Sequence, residues 1–308
     1  MKKLNVAVIG VGYLGRFHAQ KYASLVDVNL VGVVDIDKAR SEHVAHEVGT
    51  KAYTSVEEIP ETLDAVSIAV PTSSHAEVAV PLLEKGVAVL VEKPISSSIE
   101  EAVSIINASR AGSAILQVGH LERFNPALIE LRDSITRPMF IEAHRISPFK
   151  TRGTDVDVIL DIMIHDIDII LSLVDSPVTS LEAVGVPVLT DSVDIANVRL
   201  RFESGCIANI TASRVSADVM RKIRIFQPDS YISIDFAKSM VDLYTLSEDK
   251  QIHHKHLSMS ESDALASEIR SFVDAIQLKQ EVMVDGAAGL RALEMAHAIK
   301  NALITPNR

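Results

Sequence analysis

The stretch NVAVIGVGYLGRFH, residues 5–18, decides how the rest of the chain is read. It opens as an apolar run, turns through Gly10, Gly12 and Gly15, and continues with helical texture. A strand, a glycine turn and a helix in that order aim the free N–H groups of the helix N-terminus at the turn, where they attract phosphate. Gly10 permits the tight turn, Gly12 lets a pyrophosphate approach the backbone, and Gly15 allows the helix to pack close to the strand; Tyr13 and Leu14 complete the loop. A lone GxGxxG is weak, because any strand-to-helix turn can be rich in glycine. Here a second apolar run, residues 30–35, ends in Asp35, 20 residues after Gly15. A carboxylate there accepts hydrogen bonds from the adenosine ribose and repels a 2′-phosphate. The loop and the acid together predict a Rossmann domain that binds NAD, with Lys38 and Arg40 close enough to leave NADP as the alternative.

Outward from this stretch, apolar runs at residues 65–70, 87–92 and 115–119 alternate with helical segments at 16–24, 38–48, 76–85 and 99–111. Alternation of this kind, with little polar interruption in the strands, predicts a doubly wound parallel α/β sheet. Beyond Gly119 the texture changes. A strand at 140–146, an apolar helix from about 155 to 174, and six β-rich runs between 180 and 245 predict a second, α+β domain on a mostly antiparallel sheet, closed by helices at 262–277 and 286–303. The expected division is 1–120 for dinucleotide binding and 121–308 for substrate binding and oligomerisation. A chain of 308 residues exceeds what one core usually supports. With 47% hydrophobic and 23% charged residues it is neither disordered nor fibrous. The formal charge of -11 argues against a nucleic-acid partner. A single cysteine, Cys206, forms no internal disulfide, and neither a signal-peptide core nor a spanning run is present, so a soluble cytoplasmic protein is expected.

Candidate chemistry sits at two places. The run 87–91 leads into Glu92-Lys93-Pro94, which sets an ammonium at the carboxyl end of a central strand, where ligands of open α/β sheets bind. Most lysines are only solvated, but at this position Lys93 can hydrogen-bond a substrate hydroxyl and stabilise alkoxide charge. In the apolar helix, Asp157, Asp161, His165, Asp168 and Ser172 follow at spacings of four, four, three and four, one stripe on a helix otherwise too apolar for a surface. Asp161 can orient His165 while His165 moves a proton; the pair could also ligate a metal, but no third ligand stands at motif spacing. Asp166 lies off the stripe without a role, and His18 is expected to pack within the first helix. His253, His254 and His256 cluster in an expected strand where only His254 and His256 share a face; a solvated edge is the expected reading, and no metal site is predicted. Arg123, Arg145, Lys150 and Arg152 concentrate positive charge in an acidic chain, either as surface ion pairs or as a binding site for an anionic substrate.

The glycine loop, Asp35, the Pro71-Thr72 loop with His75, Glu92-Lys93-Pro94 and Asp161 to Asp166 together resemble the glucose–fructose oxidoreductase/inositol dehydrogenase (Gfo/Idh/MocA) family along nearly the whole chain. The resemblance implies an NAD-dependent dehydrogenase acting on a CH–OH group, with Lys93, Asp161 and His165 catalytic. It places Gly10, Gly12, Tyr13, Leu14, Gly15, Asp35, Thr72, His75, Glu92 and Lys93 at the cofactor, and implies a homodimer or homotetramer. Within the family, residues 119–126 and 145–152 most resemble the branch that oxidises the 3-hydroxyl of UDP-N-acetylglucosamine. This implies that Arg123, Asn125, Arg145 and Arg152 contact a nucleotide-sugar substrate. Three alternatives stand beside it: an inositol or free-sugar dehydrogenase, a non-catalytic dinucleotide-binding regulator, and a protein whose glycine loop holds another adenine ligand.

Overall fold

The structure, a computed structural model, describes residues 3–149, 157–259 and 263–304. The chain divides into two compact units, each with its own sheet. The first begins with β1 (Leu4–Ile9), α1 (Tyr13–Ser24), β2 (Val28–Val34), α2 (Lys38–Val48), β3 (Ala52–Tyr53), β4 (Ala65–Ile68), α3 (His75–Glu84), β5 (Ala88–Glu92), α4 (Ile99–Gly112) and β6 (Leu116–Gly119). Its six strands lie in the order β3-β2-β1-β4-β5-β6 and every pair is parallel. The strand order reverses between β1 and β4, and the glycine turn after β1 therefore stands at the switch point where such sheets bind ligands. Local sequence sets the helix ends: Asp37 accepts the N–H of Arg40 at the start of α2, and Gly49, at φ 71°, closes it.

The second unit contains α5 (Pro126–Leu131), β7 (Phe140–Ile146), a π-helical turn (Ile159–Met163), α6 (Ile164–Leu173), β8 (Val178–Val186), β9 (Ile195–Phe202), β10 (Ile207–Ser213), β11 (Met220–Phe226), β12 (Ser230–Asp235), β13 (Met240–Leu246) and β14 (Ile252–Ser258). The chain continues through α7 (Ala264–Leu278), α8 (Gly286–Ala302) and β15 (Leu303–Ile304). The nine-stranded sheet runs β14-β13-β12-β11-β7-β10-β9-β8-β15, antiparallel except for β7 with β10 and β8 with β15. Alternation is clean. Ala196, Val198, Leu200 and Phe202 of β9 enter the core with Ile167 and Ile170 of α6, while Asn197, Arg199 and Arg201 take the other face.

Two expectations need correction, and one element was missed. The first unit is not confined to residues before 121: it takes in Asp263–Leu290 as well, because Ile269, Phe272 and Val273 of α7 belong to the same core as Val6, Val8 and Tyr22. The helix expected from 155 to 174 is not one α-helix. Ile164 N–H bonds to the Ile159 carbonyl, a five-residue step, and the regular helix starts only there. The six-residue α5, capped by the Asn125 side chain on Ala127 N–H, was not anticipated, being too short to show a period. Among the described residues no helix is long and apolar enough to cross a membrane.

Candidate active site

The three glycines do different work. A Cβ on Gly10, where φ is +82°, would fall 2.7 Å from the Val70 nitrogen, and one on Gly15 would fall 1.8 Å from the Gly10 carbonyl oxygen. Both are glycine because the chain crosses itself there. A Cβ on Gly12 would meet nothing within 4 Å, so no protein neighbour demands the glycine; the open space is on the ligand side. A 710 Å³ cavity opens at this point, lined by Gly10, Gly12, Asp35, Arg40, Pro71 and Ser74 among others. No side chain caps the start of α1, which leaves its N–H groups for a phosphate. Asp35 is buried; its carboxylate accepts the N–H groups of Val11 (3.0 Å) and Asp37 (2.9 Å) and pairs with Arg40 at 3.3 Å. The acid is thus fixed from the glycine loop itself, and loop, acid and cavity fit a dinucleotide.

At the end of β5, Glu92 turns inward rather than toward a ligand. Its Oε1 lies 2.9 Å from His18 Nε2, and Oε2 accepts the Lys93 N–H at 3.3 Å. His18 Nδ1 lies 3.2 Å from Ser67 Oγ, which is 2.9 Å from the Tyr22 hydroxyl. His18 is therefore more than a packed helix residue, and the carboxylate of Glu92, expected at the cofactor, is engaged with it inside the fold. Burial alone would raise the Glu92 carboxyl, but the hydrogen bond and charge of His18, with Lys93, hold it below the usual carboxylate range. Glu268, from α7, joins this cluster: His18, Glu92 and Glu268 each offer an atom within 4.8 Å of the others. Glu268 is fully buried with neither carboxyl oxygen hydrogen-bonded, and burial, then the Glu92 charge, push it well above the ordinary range. Its neutral, protonated form is accordingly the favoured one.

His75, expected at the cofactor, is buried and faces three carbonyls: Nδ1 lies 3.0 Å from Pro94 and 3.3 Å from Ile95, and Nε2 lies 3.1 Å from Val70. It ties the loop after β4 to the loop after Lys93, and burial lowers its tendency to protonate. Thr72 opens the single 3₁₀ turn before α3. Tyr13 and Leu14 are exposed on the first turn of α1.

In the second unit the polar stripe resolves into separate tasks. Asp157 accepts the N–H groups of Ile159 and Leu160 and pairs with Lys300 at 2.7 Å. Asp168 is buried and pairs with Arg123 at 3.4 Å, and the Ser172 hydroxyl donates back to the Ile169 carbonyl. Asp161 lies within the π turn and His165 two residues past it, both half-buried. Such turns place side chains off the regular helical stripe, and they recur at functional sites. Arg145, expected to bind substrate, is buried with its guanidinium engaged by two carboxylates. Its guanidinium grips Asp166 from both Nε and Nη2 (3.1 and 2.8 Å) and meets Glu122 at 2.6 Å. Burial disfavours its charge, but the two carboxylates outweigh that and hold the proton more firmly than usual. The same contact gives Asp166 its role. Asn125 is the α5 cap, and Lys150 and Arg152 lie outside the described residues. Glu268 escaped the sequence reading, although its place beside Ile269 and four before Phe272, on the apolar face of α7, was a signal.

The glycine cradle, the acid closing β2 and the lysine at the end of β5 define an NAD-dependent oxidoreductase. The comparisons with known proteins agree. Residues 4–120 match the model described as the oxidoreductase family with an NAD-binding Rossmann fold, and residues 134–228 match the GFO/IDH/MocA C-terminal domain. The chain belongs to the Gfo/Idh/MocA family. It is 39% identical to UDP-N-acetylglucosamine 3-dehydrogenase of Acidithiobacillus ferrooxidans over 98% of each chain, and the solved structure of that enzyme superposes with a TM-score of 0.93. Identity is 31% with scyllo-inositol 2-dehydrogenase (NAD(+)) of Bacillus subtilis, over 70% of this chain and 68% of that one. The structure of myo-inositol 2-dehydrogenase from Lactobacillus plantarum, 20% identical with 98% and 97% of the two chains covered, shares the fold at a TM-score of 0.83.

Proposed function

We propose that this oxidoreductase oxidises the 3-hydroxyl of UDP-N-acetylglucosamine to a 3-keto sugar. The observation that carries the reading is the identity of 39% with an enzyme of that name over 98% of both chains, against 31% over 70% for the inositol dehydrogenase. NAD, when bound, supplies the hydride acceptor. The chain's own residues do the rest. The backbone of Gly12 and the first turn of α1 hold the pyrophosphate, and Asp35 holds the adenosine ribose. His165 takes the proton of the substrate hydroxyl, Asp161 orients the imidazole, and the Lys93 ammonium stabilises the alkoxide as the C–H bond breaks. Arg123, paired with Asp168, and, on sequence alone, Arg152 are the cations assigned to the diphosphate, ahead of Arg145, whose guanidinium is taken up by two carboxylates. The enzyme is taken to work in the cytoplasm as a homodimer or homotetramer, which light scattering on the purified chain would test.

Inositol oxidation is the second reading, supported by the Bacillus subtilis relative. Lys93 and His165 have no use in a binding-only regulator. Purified protein with NAD and either UDP-N-acetylglucosamine or myo-inositol separates the two enzymes by NADH absorbance. Turnover of the nucleotide sugar, far above inositol, is expected; the reverse ratio would assign the protein to the second reading.

A further inference from the structure

The outermost hairpin of the nine-stranded sheet holds an arrangement that the dehydrogenase reaction does not use. On β14, His254 and His256 are two residues apart and share a face, while His253 alternates to the other. In the register of β13 with β14, Asp242 stands opposite His256, and Tyr244 opposite His254. Both imidazoles converge on one oxygen: His254 Nε2 lies 2.9 Å and His256 Nδ1 2.8 Å from Asp242 Oδ1. The His254 ring is also stacked on Tyr244, with centroids 4.2 Å apart and planes within 7°, which limits its rotation.

We propose that Asp242, His254 and His256 form a divalent transition-metal site of the zinc class, clamping the edge strand β14 to β13. One ligand atom from each residue lies within 4.8 Å of the other two. Three donors about 2.0–2.2 Å from a tetrahedral zinc stand roughly 3.3–3.5 Å from one another, so small side-chain rotations suffice. Two imidazoles and one carboxylate are a borderline-soft donor set suited to zinc and its neighbours, and unsuited to magnesium or calcium, which take oxygen ligands. The His254 and His256 side chains are 43% and 44% exposed, so a cation reaches them without any opening of the fold. The bond balance is simple. In the metal-free form each ring directs an N–H at Asp242; on binding, the neutral rings change tautomer, the proton moving to Nδ1 of His254 and to Nε2 of His256, so that the nitrogens facing Asp242 present lone pairs, the cation replaces the two hydrogen bonds, and water completes the coordination. The two histidines and the carboxylate already draw together around one point.

The test is zinc titration by calorimetry into the full chain without an affinity tag, near pH 7.5. A binding event of about one zinc per chain is expected, weakened at least tenfold in His254→Gln, His256→Gln and Asp242→Asn, and unchanged in His253→Gln. Affinity should also fall as pH drops through the imidazole range, because the protonated ring cannot ligate. Melting of each variant without zinc checks that it folds, and a folded variant is expected because all three side chains are solvent-accessible. Absence of zinc binding to the parent chain, or equal binding by the His254 and His256 variants, would overturn the proposal.

Discussion

Glu268 is a carboxyl group with no hydrogen bond, held in the same buried cluster as the ionised Glu92. Its folded-state pKa is raised, so the stability it permits is fully present below the ordinary value of 4.5 and is lost as pH rises from there toward the folded value. Glu268→Gln keeps the shape and removes the titration. The melting temperature of this variant relative to the parent should therefore climb as pH rises above the ordinary value of 4.5; a relative fall at neutral pH would show that an ionised Glu268 supports the fold. At the reaction centre, Lys93→Ala and His165→Ala should each lower kcat by about 10²–10⁴-fold, the usual worth of a positioned proton-transfer or charge-stabilising group. NAD affinity, read by fluorescence titration, should change little, since neither side chain is assigned to the phosphates or the ribose. The place of Lys93 just after β5 was legible, because the apolar run before it ends there. The Arg145 role was not, because a sequence shows the charge of an arginine but not the two carboxylates, Glu122 and Asp166, that the fold folds around it.

Among the elements, the glycine turn separates two kinds of glycine that sequence treats alike. Gly15→Val should lower the melting temperature steeply, because the new Cβ falls on the Gly10 carbonyl oxygen, a backbone atom that cannot rotate away. Gly12→Val should fold with nearly parental stability and lose NAD binding, its side chain occupying the space left for the pyrophosphate. A Gly12→Val protein that binds NAD normally would remove the loop from the cofactor site. Five of the six strands of the first sheet and the helices between them were readable from periodicity, with boundaries that differ by a few residues; β3, two residues long, is too short to show a period. The π turn was not readable. Its apolar pattern matches that of an α-helix, and only the Ile164-to-Ile159 hydrogen bond distinguishes them.

For the whole molecule, the return of α7 to the Rossmann core is the feature that sequence hid, since an amphipathic helix fits any apolar face. Ile269, Phe272 and Val273 complete the core that β1, α1 and β2 begin. A fragment ending at residue 121 should accordingly lack a cooperative melt and bind no NAD, which circular dichroism and NAD titration would check; a folded, NAD-binding fragment would contradict this division. The function at this scale rests on hydride leaving one carbon of one substrate. Its most direct measurement uses UDP-N-acetylglucosamine carrying deuterium at carbon 3, with mass spectrometry of the reduced cofactor after turnover. The account predicts monodeuterated NADH together with a 3-keto nucleotide sugar; NADH without the label, or no reduction while an inositol is oxidised, would contradict it.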